Sequence, residues 1–263
     1  MKLFHIAVLV LASFGYSNFA AEDRAEVINP PCACAECKCA KCECKDCKDC
    51  ECALRADEVP KAVLFAHYRI AIYSEALFNR NGETVEEARL LGYGTGIAIA
   101  PRSILTARHV ADGERGIEYH LEMFDADGVM IGWQIARFVR AGQDHDTDLA
   151  LLSVKDDLPF FLKNFALGKV DVGQRIYDVG AALGLAPFNV TWGTLASKND
   201  EASDESQIHG LWQATLGASP GCSGGGVYNT KNELVGVLTM GAPGTPINFF
   251  VPVQLIAAFL NQK

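Results

Sequence analysis

A serine enclosed by glycines is the residue in this sequence whose surroundings best suit chemistry. Ser223 lies in the run Gly221-Cys222-Ser223-Gly224-Gly225, where the backbone can turn sharply and project the hydroxyl. Neighbouring N–H groups can converge on one point in such a turn. Acyl transfer requires that convergence, because its tetrahedral intermediate carries negative charge on the former carbonyl oxygen. An ordinary glycine-rich hairpin has the same composition, so the run alone leaves both interpretations open.

A serine hydroxyl is a weak nucleophile without a base, so a histidine is required elsewhere in the chain. The sequence has six histidines, and most single histidines in proteins are structural or lie on the surface. His109 is distinctive because it comes at the end of an apolar strand candidate, 103–107. A strand end can hold a side chain at the rim of a barrel, so His109 is the candidate base.

The base in turn needs a carboxylate that orients its ring and stabilises the imidazolium. Three aspartates stand close together, at positions 144, 146 and 148. Only Asp148 directly precedes an apolar stretch, Leu149-Ala150-Leu151-Leu152, and it is expected at the edge of the core. Asp144 and Asp146 suit a solvated loop.

The elements that must position these residues are short strands. From about residue 60 the sequence consists of apolar runs separated by turn signals, such as Asp125-Ala126-Asp127-Gly128. Strands are predicted at 63–73, 94–100, 103–107, 119–124, 129–138, 149–154, 175–183, 188–196, 210–215, 226–228, 233–240 and 247–251, and a helix at 253–260. This pattern predicts an all-β barrel or sandwich with a terminal helix.

Taken together, these segments resemble the trypsin-like (chymotrypsin-fold) serine proteases, and in particular their HtrA/Deg-like branch. The resemblance is carried by Thr106-Ala107-Arg108-His109-Val110, Asp148-Leu149-Ala150-Leu151-Leu152 and Ser219-Pro220-Gly221-Cys222-Ser223-Gly224-Gly225, and it covers roughly 61–263. It implies an all-β fold of two six-stranded antiparallel β-barrels, the trypsin-like double barrel, with a C-terminal helix. HtrA relatives usually carry a C-terminal PDZ domain, which is not expected in this chain.

The resemblance also implies a role for each matching residue. Ser223 would attack the scissile carbonyl, and His109 would act as general base and then as general acid. Asp148 would hold the His109 tautomer, and the backbone N–H groups of Gly221 and Ser223 would form the oxyanion hole. The substrates would be polypeptides, and no cofactor would be required for catalysis.

Cys222 is a competing nucleophile, since some viral enzymes on this fold use cysteine. The family's pattern is Gly, any residue, nucleophile, Gly, Gly, and it gives the nucleophile's place to Ser223. Cys222 would then be a small packing residue. Trypsin has an aspartate at this position that pairs with a newly freed N-terminus, which a cysteine cannot do. Activation of the trypsin type is therefore not expected.

The specificity pocket is located by the same resemblance. The base of the S1 pocket would be Gly217, and its wall would be Val237-Leu238-Thr239-Met240. Neither supplies a carboxylate for Arg or Lys, so a small or medium apolar P1 residue is expected.

Bulk properties limit the other function classes. The formal net charge of −9 makes binding to nucleic acid or to an anionic membrane surface unexpected. Residues 1–21 are typical of a signal peptide, with Lys2, an apolar run at 3–14 and small residues up to Ala21. That run is too short for stable membrane insertion, so a secreted or periplasmic location is predicted.

A cysteine-rich, low-complexity segment, 22–59, separates this signal from the predicted protease domain, 60–263. All of the ten cysteines except Cys222 lie between Cys32 and Cys52, and their C-x-C and C-x-x-C spacings suit a soft metal ion such as Zn²⁺ or Cu⁺. Disulfides and a bland linker are open alternatives. The competing function is a catalytically silent double-barrel binding module with a metal-binding cysteine tail.

Overall fold

The structure of the chain is a computed structural model that describes residues 59–80, 83–125, 127–142, 147–162, 167–185, 188–198 and 210–262. The predicted signal at 1–21 and the cysteines from Cys32 to Cys52 lie outside the described residues, as do Asp144 and Asp146. All described residues belong to one compact unit.

Short strands make up most of the described residues. A small helix, α1 (Lys61–Phe65), comes first and a longer one, α2 (Val253–Asn261), comes last. The strands between them are β1 (His67–Arg80), β2 (Glu83–Ala100), β3 (Ser103–Thr106), β4 (Ile117–Phe124), β5 (Met130–Ala141), β6 (Ala150–Ser153), β7 (Arg175–Gly180), β8 (Asn189–Lys198), β9 (Trp212–Thr215), β10 (Gly226–Asn229), β11 (Leu234–Gly241) and β12 (Ile247–Pro252).

The strands form two closed antiparallel barrels. The first has the order β1-β2-β3-β6-β5-β4 and the second β10-β11-β12-β9-β8-β7. Alternate residues of the strands face inward, and burial of their apolar surface is the main stabilising contribution. Ile70, Ile104, Leu121 and Leu152 are fully buried in the first barrel. The predicted all-β double barrel with a C-terminal helix is confirmed.

A separate apolar cluster, the inter-barrel cluster, joins the two barrels. Leu105 and Leu149 of the first barrel pack with Tyr177 and Val237 of the second, and Phe259 of α2 belongs to the same cluster. This packing holds the barrels in contact along the edges at which β3 ends and β6 begins. Those are the edges that carry the predicted His109 and Asp148.

The start of the first strand differs from the sequence prediction. Residues 63–65 belong to α1, not to a strand, and β1 begins at His67. The reason is local, because the carbonyl of Pro60 accepts hydrogen bonds from the N–H groups of both Val63 and Leu64 and so closes a helical turn. Val63 is buried in the inter-barrel cluster, which explains why its apolar neighbourhood resembled a strand.

His67 links the barrels from a buried position. Its Nδ1 lies 2.7 Å from the carbonyl oxygen of Val63, so this nitrogen carries the proton and donates it. Its Nε2 accepts from the N–H of Gly226 at 3.3 Å and lies 3.2 Å from the hydroxyl of Tyr228. Burial lowers the pKa of His67 from 6.5 to about 4, because the charged ring would lose its hydration.

This lowered pKa predicts a loss of stability in mild acid. In the unfolded chain His67 takes up a proton near pH 6.5, whereas in the folded protein it does so near pH 4, so stability falls as the pH drops through this range. The loss by pH 4 is on the order of 3 kcal/mol. We expect His67→Gln to show a smaller decrease in Tm between pH 7 and pH 4.5 than the wild type, measured by thermal unfolding.

The matched control is His120→Gln, which removes a histidine that is only partly buried. Its Tm should follow the pH dependence of the wild type. Equal pH dependence in the wild type and in His67→Gln would contradict the prediction.

Candidate active site

His109 lies in the turn that follows β3, at the rim of the first barrel. The N–H groups of Val110 and Ala111 both donate to the carbonyl of Ala107 and close this turn, at 3.1 and 3.3 Å. β3 itself ends at Thr106, so the histidine stands in the turn and not on the strand. Its side chain is 49% exposed, and solvent and ligands can reach it.

Asp148 stands two residues before β6, which pairs with β3, and the pairing brings it beside His109. Its Oδ2 lies 2.7 Å from Nδ1 of His109, and its Oδ1 accepts the backbone N–H of His109 at 2.9 Å. The hydroxyl of Thr239, from β11 of the second barrel, donates to Oδ2 as well. Both histidine donors therefore converge on one carboxylate.

These hydrogen bonds decide the charge of Asp148. Burial acts to raise its pKa, but the hydrogen bonds and the charge of His109, together with the hydrogen bond from Thr239, outweigh burial and lower that pKa from its usual value. The ionised carboxylate accepts the proton-bearing Nδ1 of His109 in a hydrogen bond. The neutral ring therefore presents an unprotonated Nε2, which can take up a proton.

Ser223 lies in the turn before β10, and it lines the same cavity of about 290 Å³ as His109. Its hydroxyl donates to the carbonyl of Thr239 at 2.9 Å. Thr239 thus contacts both barrels at once, with its hydroxyl on Asp148 and its carbonyl on Ser223. Among the described residues, the hydroxyl of Ser223 is therefore bonded to Thr239 and not to His109.

The backbone ahead of Ser223 is held in a special conformation. Gly221 has φ +97°, and a Cβ there would overlap the carbonyl oxygen of Ala181. The carbonyl of Pro220 accepts the N–H of Leu183 at 2.6 Å. A trans peptide directs its C=O and N–H to opposite sides, so the N–H of Gly221 points away from Leu183.

Two backbone donors next to the serine are free of protein partners. In the part of the chain that the structure describes, the N–H groups of Gly221 and Ser223 donate to no other protein group. The N–H groups of Cys222 and Gly224, by contrast, donate to the carbonyls of Ser219 and Leu238. The two free donors are the pair that the sequence predicted for an oxyanion hole.

Thr95, on β2 of the first barrel, makes two hydrogen bonds to this loop and a third to the neighbouring segment at Ala181. Its hydroxyl donates to the carbonyl of Gly221 at 2.8 Å and accepts the N–H of Ala181 at 2.9 Å. Its own N–H donates to the carbonyl of Ser223 at 2.8 Å. A hydroxyl can donate and accept at once, and Thr95 is fully buried, so no water replaces these bonds.

Arg69 fixes the turn that contains Leu183 to the first barrel. The guanidinium donates to the carbonyl of Gly184 and pairs with Glu122 at 2.5 Å. It also lies over the rings of Tyr93 and Phe124. The ion pair and the two ring contacts restrict the guanidinium, and through its hydrogen bond to Gly184 the guanidinium holds this turn.

Cys222 packs into the core of the second barrel and is 1% exposed. Burial raises the pKa of its thiol to about 11, and the carboxyl of Asp178 adds to the effect. A neutral, buried thiol is a poor nucleophile. Asp178 is itself fully buried, and burial raises its pKa to about 7 although the hydroxyl of Thr191 donates to it.

A second cavity, of about 490 Å³, adjoins Ser223. Its lining includes Leu238, Thr239 and Met240 of the predicted pocket wall. Gly217 is not among the described lining residues. Its α-carbon faces the side chain of Thr191, and the next residue, Ala218, lines the cavity instead.

Thr95, Thr239 and Arg69 are site residues to which the sequence assigned no such role. Residues 94–99 were predicted only as a strand, and Thr239 only as part of the pocket wall. Their roles come from contacts with the other barrel, and the separations are large, for example 126 residues between Thr95 and Gly221. The one feature of the local sequence that could have indicated a role for Thr95 is the position of its hydroxyl between two glycines, Gly94 and Gly96.

No group of three or more His, Cys, Asp or Glu side chains within the described ranges is arranged to hold a metal ion. The cysteine-rich segment lies outside these ranges, so its metal binding stays a prediction. The described helices include none that is long and apolar enough to span a membrane.

Comparison with known proteins agrees with this geometry. A family model described as a trypsin-like peptidase domain matches residues 94–237, which is more than half of the chain and includes the turns of His109, Asp148 and Ser223. The chain belongs to the trypsin-like peptidase family. Among solved structures, the crystal structure of Deg5 has a TM-score of 0.54 and 20% identity, over 75% of this chain and 88% of that chain. It shares the fold.

Curated relatives of this trypsin-like peptidase are of the HtrA/DegP kind, as the sequence predicted. The "Probable periplasmic serine endoprotease DegP-like" of Hahella chejuensis is 28% identical over 188 residues, or 67% of this chain and 36% of the relative. The "Putative serine protease HhoA" of Synechocystis sp. is 28% identical over 184 residues, or 66% of this chain and 44% of the relative. The chain therefore spans less than half the length of these relatives.

The contacts of Thr95 predict that its hydroxyl keeps the loop before Ser223 in place. Thr95→Val leaves the N–H of Ala181 without a partner, at a cost of about 1–3 kcal/mol. We expect Thr95→Val to slow the reaction of Ser223 with a fluorophosphonate by about 10- to 100-fold, whereas Thr95→Ser retains most of the rate. Labelling kinetics of the folded proteins measure this effect.

A role in stability alone would give a different result. It would lower the Tm of Thr95→Val and leave the labelling rate of the folded fraction unchanged. That outcome would contradict the positioning role of Thr95.

Proposed function

We propose that the chain is a serine endopeptidase that hydrolyses peptide bonds through a triad of His109, Asp148 and Ser223 and an acyl-enzyme intermediate. The observation that supports it most is the carboxylate of Asp148, which accepts both Nδ1–H and the backbone N–H of His109. The cavity shared by His109 and Ser223 supports it further. The names of the curated relatives, both serine proteases, point the same way.

In the first step, Oγ of Ser223 attacks the carbonyl carbon of the scissile bond and its proton passes to Nε2 of His109. The hydroxyl must leave the carbonyl of Thr239 to do so. The carbonyl oxygen of the substrate gains a negative charge, and the N–H groups of Gly221 and Ser223 stabilise it. Asp148 stabilises the imidazolium that forms.

In the second step the tetrahedral intermediate collapses. The C–N bond breaks, the imidazolium of His109 gives its proton to the leaving amine, and the acyl group stays on Ser223 as an ester. A water molecule then attacks the ester carbonyl and gives its proton to His109. The acid product leaves and the serine hydroxyl is restored. Every proton is transferred by His109, so these steps require no cofactor.

We also propose that residues 60–263 form the peptidase domain, that it acts on polypeptides, and that it is secreted or periplasmic. The predicted signal at 1–21 and the word "periplasmic" in the names of several relatives support that location. The segment 22–59, with its candidate soft metal ion, stays a prediction.

Labelling by a fluorophosphonate probe tests the nucleophile. The wild type should be labelled at Ser223 and should hydrolyse an unfolded protein substrate. Ser223→Ala should lose the label and lose hydrolysis by a factor of about 10³ or more, since removal of a triad nucleophile costs several orders of magnitude. Cys222→Ala should keep the label, because the buried thiol takes no part in the reaction.

The matched control is Ser103→Ala, which removes a serine hydroxyl from β3, outside the cavities that adjoin Ser223. It should be labelled and active like the wild type. A folded wild type without label or hydrolysis would overturn the proposal and favour the silent binding module. Loss of the label in Cys222→Ala with retention in Ser223→Ala would assign the nucleophile to the cysteine.

A further inference from the structure

A carboxyl group is buried inside the second barrel, beside the turn that carries Ser223. It belongs to Asp178 of β7, which is fully buried. Side chains alternate along a strand, so Asp178 shares its face of β7 with Ile176 and Gly180. Ile176 packs in the apolar interior of the second barrel together with Cys222. A Cβ on Gly180 would overlap the Cα and Sγ of Cys222, so the turn lies directly against this face of β7.

The carboxyl group has few hydrogen-bond partners. The hydroxyl of Thr191, opposite Asp178 on β8, donates to its Oδ1. Its Oδ2 is buried, and within the described part of the chain this oxygen has no hydrogen-bond partner. The other residue opposite Asp178, Val227 of β10, is apolar. A carboxylate with a single side-chain donor in an apolar interior is strongly disfavoured relative to the neutral acid.

The titratable groups around Asp178 do not compensate a negative charge there. Among the described residues, no Lys, Arg or His forms an ion pair with it. The turn contributes the thiol of Cys222, which is neutral because its pKa is raised to about 11. Tyr177 and Tyr228 pack on the opposite face of the sheet, in the inter-barrel cluster, with His67 beside Tyr228. Burial accordingly raises the pKa of Asp178 to about 7, so both of its forms are populated near neutral pH.

We propose that Asp178 is a positioning residue for the reaction of Ser223. As the neutral acid it supports the turn in the conformation described above, and as the carboxylate it displaces the turn. The inference rests on the proposed endopeptidase function, because it concerns the same nucleophile.

The turn is the neighbour of Asp178 that can respond to the charge. β7 is held by ladder hydrogen bonds to β8 on one side and to β10 on the other. The turn is closed by single backbone bonds, such as the one from the N–H of Cys222 to the carbonyl of Ser219 at 3.0 Å. Water or further N–H donors reach the carboxylate when this turn shifts. The N–H groups of Gly221 and Ser223, which the proposed mechanism uses, then move with it.

The test is the pH dependence of labelling by a fluorophosphonate, measured on the folded proteins. In the wild type the rate should fall by about tenfold or more between pH 7 and pH 8.5, as the neutral acid is lost in a single titration. Asp178→Asn, which is neutral at every pH, should keep its rate over this range. Thr191→Val removes a donor that favours the carboxylate, so the fall should begin at a higher pH than in the wild type.

The matched control is Asp157→Asn, which removes an exposed carboxylate and should keep the pH dependence of the wild type. A wild-type rate that does not fall above pH 7 would overturn the inference, and so would an equal fall in Asp178→Asn. If Asp178→Asn does not fold, an unchanged midpoint in Thr191→Val would overturn it instead. A role in stability alone would lower the Tm of Asp178→Asn and leave the pH dependence of labelling unchanged.

NMR spectroscopy of Ser223→Ala separates this inference from the proposed function. The ¹³C carboxyl signal of Asp178 should titrate near pH 7, and the amide signals of Cys222 and Gly224 should shift with the same midpoint. That result would support the action of Asp178 on the turn even if the wild type hydrolysed nothing. A carboxyl signal that does not change between pH 5 and pH 9, or amide signals that do not follow it, would overturn the inference even if the wild type were an active peptidase.

Discussion

The N–H of Thr95, in the first barrel, donates a hydrogen bond of 2.8 Å to the carbonyl of Ser223, in the second, and the geometry of the site depends on this junction. His109 and Asp148 belong to one barrel, while Ser223 and Thr239 belong to the other. The proposed proton transfer between the two sets would require positioning to within about 1 Å. A backbone bond at the serine, together with the Thr95 hydroxyl on the loop before it, supplies that positioning.

A partly buried carboxyl group, Asp148, and a fully buried one, Asp178, show how hydrogen-bond donors and burial together decide charge in this protein. Asp148 receives hydrogen bonds from the ring and the backbone of His109 and from the hydroxyl of Thr239, and it stays ionised at neutral pH. Asp178 receives one bond, from Thr191, and burial raises its pKa to about 7. Several hydrogen-bond donors thus stabilise the ionised form of Asp148, whereas burial with a single side-chain donor favours the protonated form of Asp178.

The sequence predicted the residues whose signal is local. His109, Asp148 and Ser223 each adjoin a strand or a glycine turn, and their order matched a known pattern. Thr95 and Thr239 gave no such signal, because each acts on a group in a distant part of the chain. The predicted S1 base, Gly217, stays a prediction, and the next residue, Ala218, lines the cavity beside Ser223. The sequence did not predict the helix α1, because a buried apolar residue such as Val63 is as compatible with a strand as with a helix.

The residues that build the site are spread over most of the folded chain. The guanidinium of Arg69 donates to the carbonyl of Gly184, which is 115 residues away in the sequence. The carboxylate of Asp148 accepts a hydrogen bond from the hydroxyl of Thr239, which is 91 residues further along the chain. Contacts of such separation are late and slow to form in a folding chain. A chain that is still being synthesised therefore has no assembled site until Thr239 has been added and both barrels have closed. The proposed cleavage of peptide bonds would therefore begin only after both barrels have folded.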